Sequence, residues 1–285
     1  MSFLETRFVG LRVLETAVAR LAKLAGALPW LTNEILYRRE RGARASAEAA
    51  TAEESTRPLP PPKLRFSSAG TDDSAWFLDS GRRGAEVVLD LLDDLAPARR
   101  PPAVLDFGCG CGRVLRHLEA APLASVDGVD WNRQSLSWCA EHLDFASFAV
   151  GRLEPPLPFD AARRFDLIYA FSVFTHLPAA LQVDWLDEMA RRLNPGGLLA
   201  LSTHGDALLE RLDDAERAAY EAGELVVRRP SVAGTNVCAA YHPSAAMQHL
   251  LPPTLEVVRH ESKGALGNPP QDLWVLRRVE DPSVG

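Results

Sequence analysis

The stretch V-L-D-F-G-C-G-C-G-R at residues 104–113 decides the fold, because an apolar run leads into glycines at every second position. A short apolar run that ends at a glycine-rich turn is typical of a strand followed by a helix in an α/β sheet. Turns of this kind bind ligands through backbone N–H groups at the carboxyl ends of parallel strands. We therefore expect a strand at 103–107 and a binding site at the turn that follows it.

The glycine spacing separates this turn from two common nucleotide-binding motifs. The dinucleotide fingerprint requires G-x-G-x-x-G, but Gly108, Gly110 and Gly112 give G-x-G-x-G, with Arg113 in place of the third glycine. The sequence also contains no G-x-x-x-x-G-K-[ST] phosphate loop. Asp106 opens the turn, and a carboxylate favours a cationic group over a pyrophosphate. The turn therefore favours a nucleoside with a cationic tail, and S-adenosylmethionine is the leading candidate.

Strand-like and helix-like segments alternate from about residue 75, which indicates a parallel sheet covered by helices. The apolar run F-D-L-I-Y-A-F at 165–171 is typical of a strand buried on both faces. N-P-G-G at 194–197 is a stop signal for the helix before it. The pattern predicts helices near 75–95, 112–120, 132–142, 179–193 and up to about 222, and strands at 124–130, 145–150, 165–171, 198–203, 255–261 and 272–278.

The first 62 residues differ from the rest of the chain. Apolar residues recur at three- and four-residue steps from Leu4 to Leu28, which predicts an amphipathic helix that ends near Pro29. Residues 39–62 are rich in Ala, Glu, Arg and Ser and close with P-L-P-P-P, which predicts a flexible linker. We divide the chain into this extension at 1–62 and a main domain at 63–285, and an exposed apolar stripe would favour a homodimer through the helix.

Composition narrows the function classes. A net charge of −7 argues against nucleic-acid binding, which needs a basic surface. Charged residues interrupt the apolar N-terminal segment too often for a membrane span, and no secretory signal opens the chain. The four cysteines form no C-x-x-C pair, which argues against zinc and predicts free thiols. We expect a cytoplasmic protein that binds no metal.

Asp130 is the second candidate ligand-binding acid. It ends the predicted strand S-V-D-G-V-D, where a carboxylate can accept hydrogen bonds from both hydroxyls of a ribose. The alternative role is the N-cap of the following helix, a role that Asn132 could also fill. Dinucleotide-dependent enzymes place an acid similarly, so Asp130 alone does not identify the cofactor.

Four motifs together resemble the class I S-adenosylmethionine-dependent methyltransferases over about residues 75–280. They are L-D-F-G-C-G-C-G-R (105–113), G-V-D-W-N (128–132), F-D-L-I-Y-A-F-S-V-F-T-H-L (165–177) and L-N-P-G-G (193–197). The resemblance implies a Rossmann-like open α/β sheet, mostly parallel with an antiparallel last strand, and S-adenosylmethionine as cofactor with S-adenosylhomocysteine as product. P-P-L-P (155–158), S-T-H-G (202–205) and Q-D-L-W-V-L (271–276) further resemble a bacterial subgroup that acts on small molecules or glycans.

The resemblance also assigns cofactor-binding roles. Arg113 would reach the methionine carboxylate or form a structural salt bridge, and Trp131 would lie against the adenine or ribose. Many relatives place an acid after the third strand, where this chain has Gly151 and Arg152, so backbone groups would substitute there. The implied cofactor-binding residues are Asp106, Phe107, Gly108, Cys109, Gly110, Gly112, Arg113, Asp130, Trp131, Arg152, Leu153 and Phe171.

Methyl transfer depends mainly on alignment of the reactants, and a general base helps most with a hydroxyl acceptor. His176 and His204, which follow the fourth and fifth strands, are the candidate bases, with Asp206 as a possible orienting partner of His204; a structural role is the alternative for each histidine. We expect a small-molecule acceptor, under a cap formed by an insertion near 223–243. The candidate substrate residues are Trp76, Phe77, Phe174, Tyr241 and His242.

Other classes stay open. A catalytically silent subunit that binds S-adenosylmethionine, or another transferase that uses it, such as an aminopropyl transferase, would carry the same motifs. A nicotinamide-dependent dehydrogenase is disfavoured by Asp106 and by the missing third glycine. The sequence names neither the acceptor nor the methylated atom.

Overall fold

The computed structural model describes Tyr37 and residues 57–94, 101–265, 267 and 269–280. The predicted amphipathic helix, the homodimer through it and the part of the predicted linker up to residue 56 fall outside these residues. The described α-helices are α1 (Pro62–Ala69), α2 (Ser74–Asp94), α3 (Arg133–His142), α4 (Ala179–Arg192), α5 (Asp214–Glu221) and α6 (Ser244–Leu250). Short 3₁₀ helices span Leu115–His117, Phe174–His176, Asp206–Arg211 and Pro230–Val232.

The described strands form one large sheet and one hairpin. They are β1 (Ala103–Phe107), β2 (Ser125–Asp130), β3 (Ser147–Val150), β4 (Phe165–Ala170), β5 (Leu193–Thr203), β6 (Val226–Arg228), β7 (Ala239–Tyr241), β8 (Leu255–Ala265) and β9 (Gln271–Arg278). The sheet order is β3-β2-β1-β4-β5-β9-β8, with β1 to β5 parallel and β9 antiparallel to both β5 and β8. This topology confirms the predicted open, mostly parallel sheet with an antiparallel last strand.

The two faces of β1 lead to different layers of the molecule. All five β1 residues are buried, as the apolar sequence predicts for a central strand. Leu105 and Phe107 belong to the hydrophobic core that contains Trp185 of α4. Val104 belongs to the core on the other face, beneath α2. Because side chains alternate along a strand, Asp106 shares the α2 face with Val104 and lies opposite Phe107.

The predicted helix at 112–120 is wrong. Gly112 turns the chain with φ +75°, and only Leu115–His117 forms a 3₁₀ helix. Helix α2 packs so tightly here that a Cβ added at Gly81 would lie 2.1 Å from the Arg113 carbonyl oxygen. Because Gly112 is left-handed and α2 packs closely against Arg113, the chain forms a compact turn here and not a regular helix.

Two other boundaries differ from the expected ones. β5 begins at Leu193, so N-P-G-G lies inside the strand that follows α4 rather than between the two elements. The predicted helix that runs to about 222 is split into Asp206–Arg211 and α5. Asp213 separates them, because its side chain accepts from the Glu216 N–H while the Glu216 carboxylate accepts from the Asp213 N–H. This capping box starts a new helix.

The predicted insertion near 223–243 contains the β6–β7 hairpin, which is separate from the large sheet. A single parallel bridge between His204 and Tyr241 joins it to the end of β5. Within the described residues, no helix is long and apolar enough to cross a membrane.

Candidate active site

A pocket with about 790 Å³ of empty space, part of it open to solvent, lies at the carboxyl ends of β1, β2 and β4. Ligand sites in open α/β sheets occur at this edge. The lining residues are Ser67, Ser68, Phe107, Gly108, Gly110, Val129, Asp130, Trp131, Asn132, Gly151, Arg152, Leu153, Ser172, Val173, His176, Leu177, Trp185, Gly234 and Asn236.

Gly108 and Gly110 bring the backbone of the first turn to the pocket surface. Both have positive φ, +77° and +54°, which side chains other than glycine rarely adopt. A Cβ at Gly108 would lie 2.4 Å from Val173 Cγ2, and one at Gly110 would lie 2.5 Å from Ser68 Oγ. The glycines are therefore required by backbone conformation and by close packing, and the backbone itself forms this wall.

Asp130 is anchored by backbone groups and still has acceptor capacity toward the pocket. Its Oδ2 accepts from the Gly110 N–H at 2.9 Å, and its Oδ1 accepts from the Asn132 N–H at 2.7 Å. A carboxylate can accept about four hydrogen bonds, so further acceptor positions remain. Asn132 fills the N-cap role, because its side chain accepts from the Gln134 and Ser135 N–H groups. Burial raises the pKa of Asp130, opposed by hydrogen bonds from backbone groups that include Asn132 and Gly110.

Lining residues of α1 (Ser67 and Ser68) and of the insertion (Gly234 and Asn236) form one wall of the pocket, which we call its roof. The Trp131 Nε1–H donates to the Gly234 carbonyl at 3.2 Å, which fixes the indole at the pocket edge. The Asn236 side-chain amide donates to the carbonyls of Phe66 and Ser67 in α1, at 3.4 Å each. These contacts bring Gly234 and Asn236, within the insertion near 223–243, to the pocket, and the role of the insertion as a substrate cap remains a prediction.

Several lining residues were missed by sequence reasoning. Ser68 Oγ accepts from the Cys111 N–H at 3.1 Å, and Ser67 Oγ accepts from the Asn132 side-chain amide at 3.1 Å. Nothing in P-K-L-R-F-S-S-A indicates these contacts. Ser172 had a usable sequence signal, since it is the first polar residue after β4. In the structure its φ is positive, at 61°.

Asp106 and Arg113 lie on the α2 face of β1, outside the set of lining residues. Burial raises the pKa of Asp106 to about 7, opposed by the Tyr169 hydroxyl and by the positive charge of Arg113. Arg113 donates to Ser80 Oγ at 3.2 Å, and its guanidinium lies 5.6 Å from the Trp76 ring centroid. Neither contact is the salt bridge expected as the structural alternative for Arg113, and the proposed contacts of both residues with the cofactor remain predictions.

The structure divides the remaining predicted site residues. Phe107, Gly108, Gly110, Asp130, Trp131, Arg152, Leu153 and His176 line the pocket together. Other predicted site residues do not line the pocket. Phe77 and Phe174 are fully buried core residues, and Trp76 and Phe171 pack on the face of the sheet that α2 covers. Cys109 is buried beneath the turn, and the left-handed Gly112 packs against Leu143.

His176 is held in a defined tautomer. Its Nδ1 lies 2.7 Å from the Cys238 carbonyl oxygen, which can only accept, so Nδ1 carries the proton. Nε2 is then an unprotonated acceptor, and it has no hydrogen-bond partner among the described residues. The Gly234 N–H also donates to the His176 carbonyl at 2.9 Å. Burial lowers the pKa of His176, so the ring is neutral at neutral pH.

His204, His242 and Tyr241 lie behind His176 and do not line the pocket. The His204 ring centroid is 6.4 Å from that of His176 and 5.3 Å from that of Tyr241. Burial lowers the pKa values of His204 and His242 to about 3 each. Asp206 Oδ1 accepts from the Tyr220 hydroxyl at 2.7 Å, and His204 Nδ1 has no hydrogen-bond partner among the described residues, so Asp206 does not orient His204. His204 is thus poorly suited to accept a proton near pH 7.

Buried His204 should make stability depend on pH. The unfolded chain binds a proton on this residue below about pH 6.5, whereas the folded chain does so only near pH 3, so acid favours unfolding over this window. One such group changes the free energy of unfolding by about 1.4 kcal/mol per pH unit. We expect His204→Phe to reduce the slope between pH 6 and 4 by roughly this amount in urea melts. His249→Phe, on the exposed surface of α6, should leave the slope unchanged, and equal slopes for both variants would refute the expectation.

The lining residues fit S-adenosylmethionine. Phe107, Leu153 and Trp185 form an apolar wall, and Asp130 is available to a ribose. Among the lining residues Arg152 is the single arginine and there is no lysine, so the pocket offers no cluster of cations for a pyrophosphate. No group of three or more His, Cys, Asp or Glu in the described part of the chain is placed to hold a metal ion. All four cysteines are buried and free.

Comparison with known proteins identifies the domain. The model of a family described as a methyltransferase domain matches residues 80–249. A malonyl-[acyl-carrier protein] O-methyltransferase of Halalkalibacterium halodurans is 31% identical over 156 residues, which cover 52% of this chain and 57% of the relative. Methyltransferase GfsG of Streptomyces halstedii is 33% identical over 150 residues, covering 50% of each chain. The chain thus spans about half the length of the curated relatives it matches.

A solved structure shares the fold. The CcbJ methyltransferase from Streptomyces caelestis superposes with a TM-score of 0.51 at 17% identity, covering 70% of this chain and 90% of that one. The sheet order and the family match together identify a class I methyltransferase domain, a class that uses S-adenosylmethionine. The chain belongs to the methyltransferase-domain family whose model matches residues 80–249.

Proposed function

We propose that this protein transfers the methyl group of S-adenosylmethionine to a hydroxyl of a small-molecule acceptor, without a metal ion. The observation that carries the proposal is His176, a pocket residue with Nδ1 bound to the Cys238 carbonyl and a free Nε2. A neutral imidazole with a free nitrogen can accept a hydroxyl proton as the oxygen attacks. An amine or thiolate acceptor would have less need of such a group.

The residues of the chain supply position and proton transfer. S-adenosylmethionine, when bound, supplies an electrophilic methyl group on a sulfonium. Asp130 would accept hydrogen bonds from the ribose, and Trp131 would lie along the nucleoside. Alignment of two reactants contributes about 7–11 kcal/mol, and a general base contributes about 10²–10⁴-fold, or roughly 3–5 kcal/mol. The pocket therefore acts mainly by orientation, with His176 as the base.

The name of one relative supports an oxygen acceptor. The relative from H. halodurans is named as an O-methyltransferase of malonyl-[acyl-carrier protein]. The insertion that contributes Gly234 and Asn236 to the roof would give acceptors of limited size access to His176. The natural-product class of acceptor, including sugar-like molecules, is our first choice for screening.

Calorimetric titration with S-adenosylhomocysteine, with NAD as control, tests the cofactor. An acceptor panel bearing matched hydroxyl, amine and carboxyl groups, with radiolabelled cofactor, then tests the reaction. Methylation of hydroxyls that falls in acid through the His176 pKa would support the proposal. Cofactor binding without turnover on any acceptor would instead favour a silent subunit, and methylation of amines alone would overturn the hydroxyl assignment.

A further inference from the structure

The turn that carries His176 is bracketed by one buried amide. Gln182 lies in the first turns of α4 and is fully buried. Its Nε2 donates to the Phe174 carbonyl at 3.2 Å and to the Leu177 carbonyl at 2.8 Å, one on each side of His176. Because both partners only accept, the NH₂ group must face the turn and Oε1 must face away from it.

The other end of the same amide reaches the insertion. Gln182 Oε1 lies 2.9 Å from His242 Nε2, which must therefore be the donor. His242 directly follows β7, and its own N–H donates to the His204 carbonyl at 2.8 Å. Gln182 thus connects the His176 turn to the end of the hairpin.

The insertion is also what binds His176 itself. Cys238 accepts from Nδ1, and Gly234 donates to the His176 carbonyl at 2.9 Å. The ring is therefore fixed only if the turn and the insertion keep their relative position. The Gln182 side chain hydrogen-bonds both to the His176 turn and to His242 of the insertion. A buried amide costs free energy unless its partners are in place, and an apolar residue of equal size would fill the same space without this requirement.

We infer that Gln182 is a positioning residue for His176, because its amide fixes the turn of His176 against the Cys238 carbonyl that orients the ring. The inference rests on the proposed role of His176 as base. Gln182 does not line the pocket and contacts neither reactant. Gln182 instead affects the reaction by setting the distance between His176 Nε2 and the acceptor hydroxyl.

Gln182→Met tests this, because methionine fills nearly the same volume and makes none of the three hydrogen bonds. We expect kcat to fall about 10- to 100-fold, since a displacement near 1 Å can cost about 100-fold. The KM for the acceptor and the Kd for S-adenosylhomocysteine should change less than about twofold. Gln248→Met, the same substitution on the exposed surface of α6, should leave all three constants unchanged.

A double-variant cycle separates positioning from general packing. In a His176→Asn background there is no base to position, so Gln182→Met should cost less than about threefold there. His242→Phe, which cuts the link to the insertion but keeps both bonds to the turn, gives the same test if Gln182→Met does not fold. An equal loss of kcat in both backgrounds, or no loss in either, would overturn the inference while leaving His176 as base. An unchanged kcat in His176→Asn itself would remove the base and the inference together.

Discussion

Replacing Asp130 with alanine is expected to weaken the binding of S-adenosylhomocysteine by about 10²–10⁴-fold. Hydrogen bonds to a charged group contribute about 1.5–3 kcal/mol each, and two ribose hydroxyls would be lost together. The following helix keeps its Asn132 N-cap, but the Gly110 and Asn132 N–H groups also lose their acceptor, so part of the loss would come from the glycine turn. Titration calorimetry at constant salt and pH measures the change.

Two variants control this experiment. Asp184→Ala removes an exposed acid from α4 and should leave the Kd unchanged. Asp130→Asn keeps one carbonyl oxygen, which can serve the Gly110 N–H or the Asn132 N–H but not both in the present geometry, so an intermediate loss is expected. A Kd for Asp130→Ala within about threefold of the original would exclude the ribose role and leave Asp130 as a structural support for the glycine turn.

The central sheet could be predicted from sequence because burial on both faces leaves an unambiguous apolar run. The β1 bounds at Ala103 and Phe107 match the expected ones, and β4 differs by one residue at its end. The helix expected at 112–120 failed because Gly112 and the close approach of Gly81 are set by tertiary packing. A single sequence does not show that Gly81 and Arg113, 32 positions apart, are in contact.

The candidate site was predicted unevenly for a similar reason. Residues next to strand ends, such as Gly108, Asp130 and His176, reached the pocket because parallel strands end at a common edge. Phe77 and Phe174 were predicted to contact the substrate but are core residues. Aromatic side chains occur both in ligand pockets and in hydrophobic cores, so residue type alone does not distinguish the two. The contribution of α1 through Ser67 and Ser68 had no sequence signal, because ordinary serines become site residues only when a distant helix places them.

Replacing His176 with asparagine is expected to lower kcat by about 10²–10⁴-fold, the range attributed to a general base. The asparagine NH₂ group can take the place of Nδ1 and donate to the Cys238 carbonyl, so the substitution removes Nε2 while keeping the contact that orients the side chain. The Kd for S-adenosylhomocysteine should change less than about twofold, because the ribose site at Asp130 is untouched. His249→Asn, at an exposed position of α6, serves as the matched control.

The pH profile distinguishes a base from a residue that only shapes the pocket. Burial holds the pKa of His176 below its ordinary value of 6.5, so the free nitrogen is available at neutral pH and is lost as the pH falls through that lowered pKa. We expect kcat/KM of the original protein to fall in acid with this dependence, and the residual activity of His176→Asn to lose that limb of the profile. Asp106, whose pKa burial raises to about 7, and Asp130, whose pKa is also raised, titrate in the original protein and in His176→Asn alike, so only the limb that the variant loses is assigned to His176. If His176→Asn retains kcat within about threefold, proton transfer to His176 does not limit the reaction, and the acceptor atom is one that attacks without a base.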